Sequence, residues 1–252
     1  MRKAIFTTAY VFLFLVLSPL SWATEAPGPK VVVSIKPIHA LVAGVMEGVA
    51  APQLLVQGGG SPHGYVLRPS EARLLADAQL VVWVGHRLEG FLEKPLLTLG
   101  AKARQLELAE ELETELLPAR EGGSWDEHAH GHEEHAEEHA GHHGDEHGEY
   151  DPHLWPDPQL AKQIVEKTAV VLAEIDPAHR QQYRKNADQV KARLDNLHAQ
   201  LITKLAPIKH IPFVVFHDAY QYFEAAYGLN AAGSITIDPE RKPGARRIAE
   251  IR

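Results

Sequence analysis

The chain has 252 residues, 45% hydrophobic and 23% charged, a balance suited to one or two globular domains. It contains no cysteine, so neither a disulfide framework nor a lipid anchor on an N-terminal Cys is available to it. The net charge of −8 is concentrated: residues 126–149 hold nine Asp or Glu and no Lys or Arg. The remainder is nearly neutral and lacks the basic patch that nucleic-acid binding requires.

The N-terminus begins with a short basic MRK, then an apolar AIFTTAYVFLFLVLSPL, then SWA at Ser21–Ala23. This order predicts a secretory signal peptide over residues 1–23, cleaved after Ala23, and a periplasmic mature protein. An uncleaved membrane anchor fits less well, because the apolar stretch is short and broken by Pro19.

Apolar runs and helical patterns then alternate. VVVSI (31–35), LLVQ (54–57), QLVVWVG (79–85) and RQLEL (104–108) read as strands. Between them lie a helix over Ile38–Val49, a helix from Pro69 to about Ala78, and an amphipathic stretch from Leu88 to Leu99. This spacing predicts a parallel sheet wrapped by helices, hence an α/β fold. The stretch 121–149 breaks the pattern: it is acidic, His-rich and has no apolar period, as expected of a disordered loop.

Order is expected to resume at Tyr150. Pro158–Ile175 reads as a helix, and Asp176 as the N-cap of another that starts at Pro177. Tyr183, Ala187, Val190, Leu194, Leu197, Leu201 and Leu205 recur at steps of four and three, which predicts one long helix over residues 177–205. At 1.5 Å per residue it would run roughly 40 Å, enough to join two lobes. PFVVF (212–216), HDAYQYFEAAYG, GSITI (233–237) and PGARRIAEIR restart the α/β alternation. The expected organisation is a first lobe over residues 24–176, a linking helix over 177–205, and a second lobe over 206–252 that reads as incomplete.

Of the 16 His, eight lie in the acidic run: His128, His130, His132, His135, His139, His142, His143 and His147. His179 and His198 sit among charged residues of the long helix and His210 beside Lys209, where solvent exposure accounts for them. His39 and His86 follow strands and are weaker candidates for a cleft. His63 and His217 both follow predicted strands, one in each lobe, where functional groups gather in parallel sheets. His153 sits in the stiff, semi-apolar DPHLW, just past the run. Imidazole is the usual neutral nitrogen ligand of zinc, and three with an open position make a familiar tetrahedral set.

GGGSPHGYVLRPSEARLLADAQLVVWVG, YDPHLWPDPQLA and VVFHDAYQYFEAAYGL resemble the metal-site motifs of the periplasmic zinc-binding subunits of bacterial high-affinity zinc ABC importers. SIKPIHALVAGVMEGV and PGARRIAEIR are similar to the same cluster of metal-specific solute-binding proteins, as is the acidic His-rich insertion before HLW. The resemblance implies two α/β lobes joined by a long rigid helix, with Zn²⁺ bound between them as cargo. It implies His63, His153 and His217 as ligands, and a membrane permease with its cytoplasmic ATPase as partners of a monomer. Pro62 stands where some members carry a ligand-adjacent Glu, which leaves the fourth position open.

Two further expectations attach to this reading. The eight His of the run form an accessory, low-affinity metal reservoir, and zinc binding weakens as imidazoles protonate. The competing readings are the same fold carrying Mn²⁺ or Fe²⁺, which favour more oxygen ligands, and a periplasmic zinc buffer acting through the run alone. A hydrolase is not expected, since HEEH and HGDEH lack the H-E-x-x-H spacing.

Overall fold

The computed structural model describes residues 27–112, 115–120 and 150–236. The expected signal peptide, the acidic His run with its eight histidines, and the PGARRIAEIR helix lie outside the described residues. Among those residues, no helix is long and apolar enough to cross a membrane.

Four parallel strands make the first sheet: β1 (Val31–Val33), β2 (Gln53–Leu54), β3 (Leu80–Trp83) and β4 (Arg104–Glu107), in the order β2-β1-β3-β4. Every residue of β1 and β3 is buried. That is why both strands read as unbroken apolar runs rather than alternating ones: each face of a parallel sheet is covered. Val31, Val33, Leu80, Val82 and Leu106 pack on the layer of α1 (Lys36–Val45), α5 (Pro158–Ile175) and α6 (Arg180–Leu205). Val32, Val81 and Trp83 pack on α2 (Pro69–Asp77) and α3 (Glu93–Thr98). The parallel α/β architecture read from the sequence is the one observed.

Boundaries differ in instructive ways. The first helix starts two residues earlier than expected, with Pro37 in its first turn, and ends at Val45. Strand β2 is only two residues long, although Leu55 and Val56 still donate to Val33 and Ser34 at 2.9 Å. Within the amphipathic 88–99 stretch only Glu93–Thr98 is helical, and a single turn, α4 (Leu108–Glu111), was not foreseen. Asp157 caps α5 by accepting from the Gln159 N–H at 2.8 Å, with Pro158 in the first turn.

The long helix takes its first turn as a 3₁₀ segment, Pro177–His179. Asp176 makes no side-chain cap there; its Oδ2 instead accepts from the Tyr183 hydroxyl and contacts His179 Nδ1, both at 2.7 Å. His179 is therefore half-buried and bound, not simply solvated, and His198 likewise meets the Tyr227 hydroxyl at 3.0 Å. The solvent explanation holds for His210, which is exposed.

The expected apolar stripe of α6 divides in two. Tyr183, Ala187 and Val190 are buried in the first sheet's core, whereas Leu201 and Leu205 are half-buried and Leu197 is 45% exposed. Asn186, 3% exposed, explains how the inner half is seated. Its Nδ2 donates to the carbonyls of Val45 and Glu47, both at 2.8 Å, at the C-terminal end of α1, and its Oδ1 accepts from Gln182 at 2.9 Å. These are carbonyls that a helix end leaves without intrahelical partners. Asn186→Ala is expected to cost about 2–3 kcal/mol of folding stability, because it removes two hydrogen bonds and strands the buried Val45 carbonyl, with the Glu47 carbonyl part-buried beside it. Urea unfolding followed by circular dichroism measures this, and a loss below about 0.5 kcal/mol would contradict the seating role.

The second sheet pairs β5 (Phe213–His217) with β6 (Ala231–Thr236) in parallel, with α7 (Gln221–Tyr227) as the crossover. Gly228 ends α7 at φ 61°, the left-handed cap that glycine adopts without a Cβ penalty. His217 is the last residue of β5, rather than the residue after it.

Candidate metal centre

Three separate segments converge. His63 sits in the loop between β2 and α2 and His153 in the turn before α5, while His217 ends β5 of the other sheet. Their available ring nitrogens all lie within 4.8 Å of one another. The ring centroids form a triangle with sides of 5.0, 5.4 and 5.5 Å. The three histidines singled out in the sequence are thus the three that the fold brings together. His39 is elsewhere, against the Pro52 carbonyl at 3.0 Å, and His86 is exposed outside the triangle.

The spacing fits a small tetrahedral ion. His153 Nε2 and His217 Nε2 are 3.3 Å apart. Two nitrogens each about 2.0–2.1 Å from a tetrahedral zinc would stand about 3.3–3.4 Å from each other. This pair is at chelating distance, and His63 needs only a short approach to complete a three-nitrogen face. The donor set also suits the ion chemically, since neutral imidazole is a good zinc ligand and a poor one for hard, oxygen-seeking cations.

Each histidine has its own support. The loop that carries His63 is pinned by Tyr65, whose hydroxyl donates to Glu71 Oε1 at 2.8 Å and whose ring meets Phe91. Glu71, 3% exposed, also accepts from the Arg68 N–H at 2.8 Å, which fixes the start of α2. His153 is 5% exposed. Asp151 Oδ1 accepts its backbone N–H at 2.9 Å and binds its Nδ1 at 2.7 Å. That bond places the proton on Nδ1 and leaves the Nε2 lone pair facing His217. Trp155 stands edge-on to the same ring at 5.4 Å.

Burial, helped by the neighbouring His153 and His63, lowers the His217 pKa from its ordinary value to about 4. Its imidazole is therefore neutral, and free to ligate, well below the usual histidine range. Because the folded value lies below the unfolded one, its contribution to stability is full above about pH 6.5 and is lost as pH falls toward 4. The His217 ring protons of the metal-free protein should titrate near pH 4 in an NMR experiment. A midpoint near 6.5 would contradict the packing described.

The trio opens on a cleft of about 460 Å³, also lined by Arg87, Arg120 and Asp218. The walls of the cleft are closely joined. Pro118 and Tyr150 form an antiparallel bridge, and the Asp151 N–H donates to the Leu117 carbonyl at 2.9 Å. Burial raises the Asp218 pKa to about 6, against the opposing pull of Arg120. Asp151, Arg120 and Asp218 were not assigned a role from sequence. The D-x-H spacing of Asp151-Pro152-His153 was the one available signal, since an Asp two residues before a His can bind both its backbone and its ring.

Comparison with known proteins points one way. Residues 31–252 match the family described as zinc-uptake complex component A, periplasmic. The high-affinity zinc uptake system protein ZnuA of Brucella abortus is 47% identical over 248 residues, covering 92% of this chain and 74% of that protein. Its Yersinia pestis counterpart is 36% identical over 240 residues, with 94% and 74% covered. Among solved structures, Streptococcus pneumoniae AdcAII superposes with a TM-score of 0.69 at 26% identity, covering 89% of this chain and 74% of that one. The periplasmic zinc-binding protein TroA of Treponema pallidum has a TM-score of 0.71 at 21% identity, with 89% and 73% covered, and supports the fold alone.

Proposed function

The chain belongs to the family of periplasmic zinc-uptake A components, and from that premise we propose that His63, His153 and His217 hold its cargo ion. The protein captures Zn²⁺ in the periplasm and supplies it to an ABC-type importer, that is, to a membrane permease with its ATPase. Its task is binding and delivery rather than catalysis, and it works as a monomer exported by the signal peptide over residues 1–23. The first lobe (24–176), the linking helix (177–205) and the second lobe (206–252) are the working units. The ion sits where the two lobes meet, with a fourth position open to a further ligand.

The observation that carries this reading is the 3.3 Å between His153 Nε2, in the turn before α5, and His217 Nε2, at the end of β5, already the edge length of a zinc tetrahedron. Manganese and iron carriage is not favoured, because the family and the relatives above are described by zinc. The buffer reading places all binding in the acidic run. The run is better read as an accessory that gathers cations loosely, since ordering a segment with no apolar period around one ion costs conformational entropy.

Deleting residues 126–149 separates the two readings. The shortened protein should keep one tight zinc site in a titration against a competing chelator, and should lose only weak, multiple binding. If the tight site vanished with the deletion, the three-histidine centre would not be the capture site.

A further inference from the structure

His217 and His153 lie 64 residues apart, one at the end of β5 and the other in the turn before α5, and no covalent connection near the site sets the gap between them. The contacts that do so cross from the pair of segments at Leu117–Arg120 and Tyr150–Asp151 to the elements that carry His217. Arg120 Nη2 is 2.6 Å from Glu224 Oε2 on α7, and its Nη1 is 3.4 Å from Oδ1 of Asp218, the residue after His217. Close by, the Tyr222 hydroxyl of α7 accepts from the Leu117 N–H and donates to the Asp151 carbonyl, both at 2.9 Å. The carboxylates of Asp218 and Glu224 are 8% and 3% exposed, and Arg120 is 23% exposed.

Two buried acids facing one guanidinium make a strongly specified arrangement. One guanidinium stands within ion-pair distance of both, and without the cation they would confront each other in a poorly solvated space. Tyr222 reaches the backbone of Asp151, the residue that holds the His153 ring. Arg120 reaches the neighbour of His217. The two ties therefore end on the supports of the two ligands that already stand at chelating distance.

We propose that Arg120 is a positioning residue for zinc capture: by pairing with Asp218 and Glu224 it ties the His217 segment to the segment of His153 and sets the gap between the two ligands. This rests on the three-histidine reading of the site. Arg120 does not itself ligate, because a guanidinium is always protonated and has no lone pair to offer. Its effect is on preorganisation. With Arg120 in place the metal-free protein holds His217 where the ion needs it; without Arg120, repulsion between Asp218 and Glu224 displaces the end of β5, and binding must restore it.

The test compares the parent chain with Arg120→Met, Arg120→Lys, Glu224→Gln, Arg120→Met/Glu224→Gln and His217→Ala. Two readouts are taken: zinc affinity by chelator competition, and the visible absorption of the Co²⁺-loaded protein, which reports ligand geometry. Arg120→Met should raise the zinc Kd by about tenfold or more, in the range found when groups behind a metal ligand are removed. It should also shift the Co²⁺ bands. Arg120→Lys should recover part of both effects, and Glu224→Gln should move affinity the same way by less. The double variant should bind no more weakly than Arg120→Met alone. A folded Arg120→Met protein with parental Kd and parental Co²⁺ bands overturns the proposal, as do losses that simply multiply in the double variant. If Arg120→Met does not fold, Glu224→Gln decides: parental affinity there overturns it. His217→Ala keeps the two levels apart. If it binds zinc as the parent does, the site reading fails; if it loses zinc while Arg120→Met keeps it, the role of Arg120 alone fails.

Discussion

Replacing His153 with Ala is expected to weaken zinc binding by roughly two orders of magnitude or more. A complete zinc site is worth about 10–16 kcal/mol of apparent binding free energy. One ligand in four then carries roughly 3 kcal/mol, or about a hundredfold in Kd. His153 should lie at the upper end for three reasons. It is the most buried of the trio. Its tautomer is already set by Asp151 at 2.7 Å. It faces His217 at the chelating distance, so its loss removes half of the preformed pair. Competition against a chromogenic chelator gives the Kd, and far-ultraviolet circular dichroism confirms that the variant is folded. A folded His153→Ala protein with a Kd close to the parent's would refute the assignment of the site.

The second large effect is expected at Asp151, which does not touch the ion. Asp151→Ala should cost about 10–100-fold in zinc affinity. The variant loses the acceptor for His153 Nδ1, so the ring can rotate or place its proton on Nε2, the nitrogen that must ligate. It also frees the His153 backbone N–H, bound to the same oxygen at 2.9 Å. Asp151→Asn should cost less, because an amide oxygen still accepts from Nδ1 and keeps the tautomer, while only the negative charge behind the ring is gone. The ¹⁵N shifts of the His153 ring distinguish the two losses. The Ala variant should show a mixture of tautomers and the Asn variant mainly the Nδ1–H form. Equal affinities for Ala and parent would mean that the bond has no part in capture.

How much of this was readable in the chain depends on what each residue answers to. The parallel sheet was legible because Val31–Val33 and Leu80–Trp83 are buried on both faces, and that condition writes itself as an apolar run. The outer half of α6 was less so: Leu197 and Leu201 keep the period of a buried stripe, yet the described neighbours leave one exposed and the other half-covered. Periodicity records which way a side chain points, not what meets it. The three converging histidines were legible because His63 and His217 follow predicted strands, where parallel sheets gather function, because His153 sits in the stiff DPHLW, and because the motifs around them resemble a known family. The supports were not. Arg120 finds its partners about a hundred residues downstream, and Asp218 and Glu224 look in sequence like any acids near a helix start. Asp176 was read as a cap and serves as an anchor for Tyr183 and His179, since a carboxylate takes the best donors the fold presents.

The bridge between Pro118 and Tyr150, with its bond from Asp151 to Leu117, has a consequence for the history of the protein. It closes a stretch of 31 residues, 119–149, immediately before the turn that carries His153. Lengthening or shortening a segment whose ends are already fixed changes the entropy of closure only slowly, by roughly 0.6 kcal/mol per doubling. Mutation can therefore rewrite the composition and length of that stretch at small cost to the geometry behind the bridge. The loose cation gathering proposed for the stretch can thus be tuned without disturbing the arrangement of His63, His153 and His217.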